Sequence, residues 1–269
     1  MKLWTMLQEP LSQAALFENG NTTKKIPNHP PGTLSRQVKT LGEFDGNLLI
    51  GRRNNIEMWT PDGSQMIKSV YHPWIYGLHE VLQWGDELLL ACANLDCVFT
   101  LDWEGNSNWS WWAWKEGYST EPTFLNEDNW QTRQITDNFT HKGSVHLNSI
   151  KRHEDKVLVT LMWKHTIVSV KPYSNEPSEL VAVLPRDARC PHDYFYHEGV
   201  EIYGRDWGIV IDGELKRGFS FVKRIYPLRE TILFTHEQGI VEMDYKRKKA
   251  IRQWTLPKPF GFVLVDSAG

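Results

Sequence analysis

The chain has 269 residues, 41% of them hydrophobic, and so is long and apolar enough to bury a sizeable core, which excludes disorder as its default state. A net charge of −3, with no basic run longer than Lys246-Arg247-Lys248-Lys249, excludes nucleic acid as the main partner. No apolar stretch reaches the ~18 residues of a membrane span. The segment from Met1 to Asn19 lacks a basic stretch followed by an apolar block, and the three cysteines are scattered (Cys92, Cys97, Cys190), so no secretory leader, no membrane partner and a reduced, cytoplasmic setting are expected.

In chain order, residues 1–35 read as an N-terminal extension, with brief helical character at 11–17. A first repeat follows: a strand at 40–44, the turn Asp45-Gly46, strands at 47–50 and 56–60, and the closing turn Pro61-Asp62-Gly63. The second copy opens on Leu78-His79-Glu80, turns at Gly85-Asp86, and continues as strands at 88–92 and 97–102. Residues 106–144 then read as an insertion containing Asn108-Trp109-Ser110-Trp111-Trp112-Ala113-Trp114 and the polar loop 126–129. Such a Trp cluster fills a core or lines a binding surface.

The third copy opens on Val145-His146-Leu147-Asn148-Ser149-Ile150 and has strands at 157–160 and 166–170. The fourth opens on Pro191-His192-Asp193, has strands at 200–203 and 208–211, and lacks an evident outer strand. The fifth has no histidine at its head and places strands at 219–225, 231–235 and 239–244. Short strands linked by Asp-Gly turns and repeating every ~45 residues predict an all-β chain: one β-propeller domain of five blades over residues 1–269. A sixth blade, assembled from the first 35 residues and residues 261–266, is the alternative. One blade leaves its apolar faces bare, so the blades must close into a ring.

Ring closure gives the repeated histidines their interest. The head of each inner strand faces the axis, so His79, His146 and His192 are predicted to share an axial pocket with Glu80, Asn148 and Asp193. His146, counted back from the next strand, lies two residues further out than His79, which keeps it on the same strand face. Three imidazoles could hold a divalent metal, the one cofactor the sequence suggests. Without a metal they could act as general acid, general base or nucleophile, while Arg217, before the last repeat, anchors an anion. The structural alternative is that each histidine simply hydrogen-bonds within its blade.

The stretch His146-Leu147-Asn148-Ser149-Ile150 with its following strand, and Pro191-His192-Asp193, resemble inner-strand entries of arylsulfotransferase-like propellers. That resemblance implies a propeller with a functional axial site, in which His146 accepts a sulfuryl group while His192 and Arg217 contact the anion. It covers only short motifs, and this chain is much shorter than those enzymes. The functional expectation is a small, anionic substrate handled by lyase or group-transfer chemistry. The competing expectation is a non-enzymatic scaffold that binds a protein or carbohydrate through its disc face and Trp-rich segment.

Overall fold

The computed structural model describes residues 2–7, 13–18, 21–26, 38–122, 125, 142–186, 191–256 and 258–264. Cys190 and the loop 126–129 lie outside the described residues. Among these residues the regular elements are strands and short 3-10 turns. The Asp-Gly turns behave as their composition requires. Asp45-Gly46 and Asp212-Gly213 hold both central residues at positive φ, 47° and 75° and 49° and 75°, the two-residue geometry whose twist matches an antiparallel hairpin. The segment with brief helical character is instead a strand, Gln13–Glu18, because sheet partners on both sides outweigh its weak local propensity.

The strands β1 (Lys2–Leu7), β2 (Gln13–Glu18) and β3 (Asn21–Lys25) come first in the chain but belong to the last blade. Blade one is β4 (Thr40–Phe44), β5 (Asn47–Gly51), β6 (Asn55–Trp59) and β7 (Met66–Tyr71). Blade two is β8 (Leu78–Trp84), β9 (Glu87–Cys92), β10 (Cys97–Leu101) and β11 (Ser110–Trp112). Blade three is β12 (Leu147–His153), β13 (Lys156–Leu161), β14 (Thr166–Val170) and β15 (Glu179–Val183). Blade four is β16 (Asp193–His197), β17 (Val200–Arg205), β18 (Gly208–Ile211) and β19 (Glu214–Arg217). Blade five is β20 (Arg224–Pro227), β21 (Ile232–His236), β22 (Gly239–Asp244) and β23 (Lys249–Thr255). In blade six, β24 (Pro259–Leu264) is the inner strand and pairs antiparallel with β1.

The fold is therefore a β-propeller of six four-stranded blades rather than five. The sixth blade is the alternative that the sequence left open, built from both ends of the chain. The first residues read as an extension, yet they supply three strands that only the distant C-terminal strand can complete. The fourth copy does possess an outer strand, β19, polar and half-exposed because it borders solvent. Similarly, the Trp-rich segment supplies β11, the outer strand of blade two, and Trp111 and Trp112 are buried there.

The inner strands touch their neighbours around the whole ring. Apolar clusters fill the spaces between successive blades. Leu89, Val98, Leu147 and Ile150 join blades two and three, for example, and Trp4, Met6, Leu41 and Ile50 join six and one. Each fully buried aliphatic side chain contributes about 1.5–3 kcal/mol, and a lone blade would leave those groups in water. Blade packing thus fixes the radial positions of the inner strands, and through them the heads that meet at the axis.

Candidate functional site

Pairing register shows which residues occupy equivalent places. Thr40 opposes Gly51, Glu80 opposes Ala91, Ser149 opposes Thr160, Asp193 opposes Gly204 and Arg224 opposes Thr235. The residues immediately before them, Lys39, His79, Asn148, His192 and Lys223, form one tier at the heads of five inner strands. Asn148, not His146, is the counterpart of His79 and His192. His146 sits two residues further out.

Two adjoining cavities open at this tier. One, of about 150 Å³, is lined by His79, His146, Asn148, Met162, His192, Lys223 and Arg224. The other, of about 230 Å³, shares His79 and His146 and adds Lys39, Arg53 and Asn94. The structure thus brings together His79, His146, His192 and Asn148. It does not bring Arg217 with them: that residue ends the outer strand β19 and is exposed, because the repeat assigned to blade five begins only after it. Glu80 and Asp193 also stand outside both linings, for a reason visible in the next tier.

That tier is an ion network across the axis. Glu80 meets Arg224 at 2.5 Å and Lys151 at 2.9 Å, and Lys151 meets Asp193 at 3.1 Å. The carboxylates also tie neighbouring inner strands together. Glu80 accepts the Ile150 N–H at 2.8 Å, and Asp193 accepts the Ile225 N–H at 2.8 Å, each on the next blade. Arg224 donates to the His79 carbonyl at 2.6 Å and to the Thr40 hydroxyl at 3.2 Å. Burial alone would raise the Glu80 carboxyl, but Arg224 and Lys151 outweigh it and hold Glu80 below its usual range. Burial raises the Asp193 carboxyl, and the Glu80 charge adds to this against the pull of Lys151. These acids stay out of the two cavities of the first tier, although Glu80, Lys151 and Arg224 line a separate cavity of about 340 Å³.

The three histidines differ in the same way. His192 is committed at both nitrogens, at 2.6 Å from Nε2 to Asp206 and 3.1 Å from Nδ1 to the Asn148 amide nitrogen. Since that amide nitrogen also faces the Pro191 carbonyl, it acts as donor, so His192 accepts at Nδ1 and donates from Nε2. The His79 and His146 rings make no hydrogen bond among the described residues. They stand edge to face at 4.9 Å, and Nδ1 of His146 is buried, so Nε2 is the nitrogen able to meet a ligand. Burial, followed by His146 and the cations Arg224, Lys223 and Lys39, holds His79 well below the usual imidazole range. Burial likewise lowers His146, although Asp96 opposes it.

Local chemistry explains how His146 reaches this place. Its backbone is left-handed, with φ 50°, unfavourable for a side chain of this kind. Asp96, in the β9–β10 turn of the preceding blade, accepts from the Ser144 hydroxyl and the Val145 N–H, both at 2.9 Å. Ser144 Oγ in turn accepts the His146 N–H at 2.9 Å. This clamp offsets the strain. Lys223 depends on a close approach instead, because the segment before it packs on Gly204, where an added Cβ would lie 2.2 Å from the Val222 carbonyl. Burial pushes the Lys223 ammonium down to about 8.

Among the described residues no three His, Cys, Asp or Glu side chains are grouped to hold a metal ion. The metal expected from three imidazoles does not fit, since His192 is taken by Asp206 and Asn148. Sequence reasoning missed Lys39, Arg53, Asp206, Lys223 and Arg224. The pairs Lys39-Thr40 and Lys223-Arg224 sit at the same offset from their hairpins as His79-Glu80. Aligning the copies on those hairpins rather than on histidine would have found them.

No protein family matches the chain by sequence, and neither does any curated protein. Solved structures do match. A protein of unknown function from Bacteroides caccae superposes with a TM-score of 0.62 at 14% identity, covering 97% of each chain. A chain of the nidogen/laminin complex superposes at 0.63 with 9% identity, over 97% of this chain and 96% of that one. The extracellular domain of BT4673 from B. thetaiotaomicron superposes at 0.54 with 12% identity, and this chain spans 36% of it. At such identities the likeness is one of fold. The resemblance to arylsulfotransferase-like propellers likewise holds for the fold, with no family match behind it. No helix among the described residues is long and apolar enough to cross a membrane.

Proposed function

We propose that the tier of inner-strand heads is a binding site for a small anion, in which His79 and His146 are placed for proton transfer of the lyase or group-transfer kind. One observation carries this reading. Lys39, Arg53, Lys223 and Arg224 line the two adjoining cavities, and among the described residues no carboxylate does. Arg224 is paired with Glu80, and Lys223 feels the charges of Glu237 and Asp206, yet the walls of both cavities keep a cationic character. A cavity walled by low-dielectric protein focuses such a field on its contents. The uncharged imidazoles can then give or take a proton beside a bound carboxylate, sulfate or phosphate.

The scaffold reading has less support, because the Trp-rich segment it relied on is a blade strand with Trp111 and Trp112 only 6% exposed. Titration of the protein with sulfate, phosphate and acetate tests the anion site. Saturable binding is expected, weakened about tenfold in Lys223→Met, the size of one charge-assisted contact. Affinities for all three anions that are undetectable, or unaffected by that substitution, would overturn the reading. The catalytic part is tested separately: His79→Gln and His146→Gln should retain sulfate binding while abolishing any turnover detected.

A further inference from the structure

Two exposed aromatic side chains pack against histidines of the anion site, and a third follows Asp206 in the chain; the proposed chemistry uses none of them. Trp163, 48% exposed, stacks on the His146 ring at 5.1 Å and 28°. Phe221, 39% exposed, lies 5.9 Å from the His192 ring, with the Lys223 ammonium 5.7 Å from its face. Trp207, 56% exposed, follows Asp206 in the turn that fixes His192. Phe221 is also held in a left-handed backbone, φ 52°, by an N–H bond of 2.9 Å to the Asp206 carbonyl. A bulky residue kept in so unfavourable a conformation at the lip of a cavity marks a functional constraint.

All three rings come from blade three, blade four and the approach to blade five, whereas Lys39 and Arg53 come from blade one. The rings therefore lie on one side of the site, while cations stand on both, Lys39 and Arg53 away from the rings and Lys223 beside Phe221. The rings are too open to enclose an apolar group, which gains most when removed from water on both faces. Half-exposed rings suit a ligand with one apolar face and a hydrated remainder. A pyranose is such a group: its C–H face stacks on an indole while its hydroxyls stay in water or meet the polar lining. Asn94, Asn148 and the His79 and His146 rings supply donors and acceptors for those hydroxyls.

We propose that the ligand is an acidic saccharide, its charged group seated towards Lys39, Arg53 and Lys223 and its sugar ring laid against Trp163 and Phe221. This rests on the anion site argued above and names what fills it. The charge can come from a carboxylate or a sulfate ester, which share the chemistry the cations recognise. Glucuronate and glucose 6-sulfate separate those sources, while acetate, sulfate, glucose and benzoate serve as controls.

Isothermal titration and tryptophan fluorescence of the full chain give the test. At least one acidic sugar should bind ten-fold or more tighter than the matching bare anion and than glucose. Trp163→Ala should remove that advantage while leaving the affinity for the bare anion unchanged. Phe221→Ala, which removes the other ring of the proposed contact, repeats the test should Trp163→Ala fail to fold. Acidic sugars binding no better than acetate or sulfate, or benzoate binding better than glucuronate, would overturn the saccharide proposal with the anion site intact. Absence of binding by every anion would instead remove the anion site itself.

Discussion

The two successive tiers at the heads of the inner strands are built from adjacent residues, yet they serve opposite ends. Lys39, His79, Asn148, His192 and Lys223 meet at the cavities, and Thr40, Glu80, Asp193 and Arg224 knit the blades together one residue further along. Lys151 joins the second tier from β12. In the first tier the described lining of the cavities holds cations and imidazoles. In the second, two acids and two bases balance each other within hydrogen-bond distance. The difference teaches that a buried charge in a propeller axis is not by itself a sign of function: its partners decide. Ionisable groups that satisfy one another hold blades in place, and those that face space are available to a ligand.

The largest expected effect breaks this comparison at its firmest point. Glu80→Gln removes the shared acid and leaves Arg224 and Lys151 buried with Asp193 alone. Losing one partner of such a network costs about 3–5 kcal/mol, and urea denaturation should show a loss of that order. His79→Gln, one residue away, removes no hydrogen bond and should change stability by less than about 1 kcal/mol. Equal losses in the two variants would mean that the tiers are not functionally distinct.

The sequence carried the fold well where repeats were local. The three inner strands of blades one to three fall close to those expected from alternation and tight turns, because hairpin register is fixed by the turn itself, whereas the outer strands β7, β11 and β15 were not foreseen. It offered ring closure by the two chain ends only as the alternative to five blades, since β24 and β1 lie far apart in the chain and neither alone signals its partner. The site was legible as a convergence of His79, His146 and His192. It was not legible as an anion site, because alignment on histidine hides Lys39 and Lys223, which share the position but not the chemistry. Nor could sequence reveal that both nitrogens of His192 are taken up, by Asp206 within its own blade and by Asn148 across from blade three once the two blades are packed side by side.

A smaller effect sharpens the character of the first tier. With the Lys223 ammonium pushed down to about 8 by burial, its charge is lost as the pH rises through that value. Sulfate keeps its own charge throughout, so its affinity should fall between pH 7 and pH 9 by about the tenfold assigned to this contact. In Lys223→Met the affinity should start lower and stay flat over the same interval. A decline of equal size in the variant would assign the titration to another group.

The smallest effect concerns the imidazole pair and acts on folding rather than binding. His79 and His146 are depressed in the folded chain, so the unfolded chain, with histidine near 6.5, takes up protons first as the pH falls. A base depressed by folding contributes stability that is present above about 6.5 and is lost below it. While one such group is charged in the unfolded chain and neutral in the folded one, the slope is about 1.4 kcal/mol per pH unit. Urea midpoints measured from pH 7 to pH 5 should therefore drop, and His79→Gln should flatten the drop. Saturating sulfate should flatten it too, because an anion in the cavity favours the charged imidazoles and raises their pKa towards the unfolded value. If sulfate instead left the slope untouched while binding elsewhere, the rings and the anion would not share a site, and the first tier would lose its claim to be the functional one.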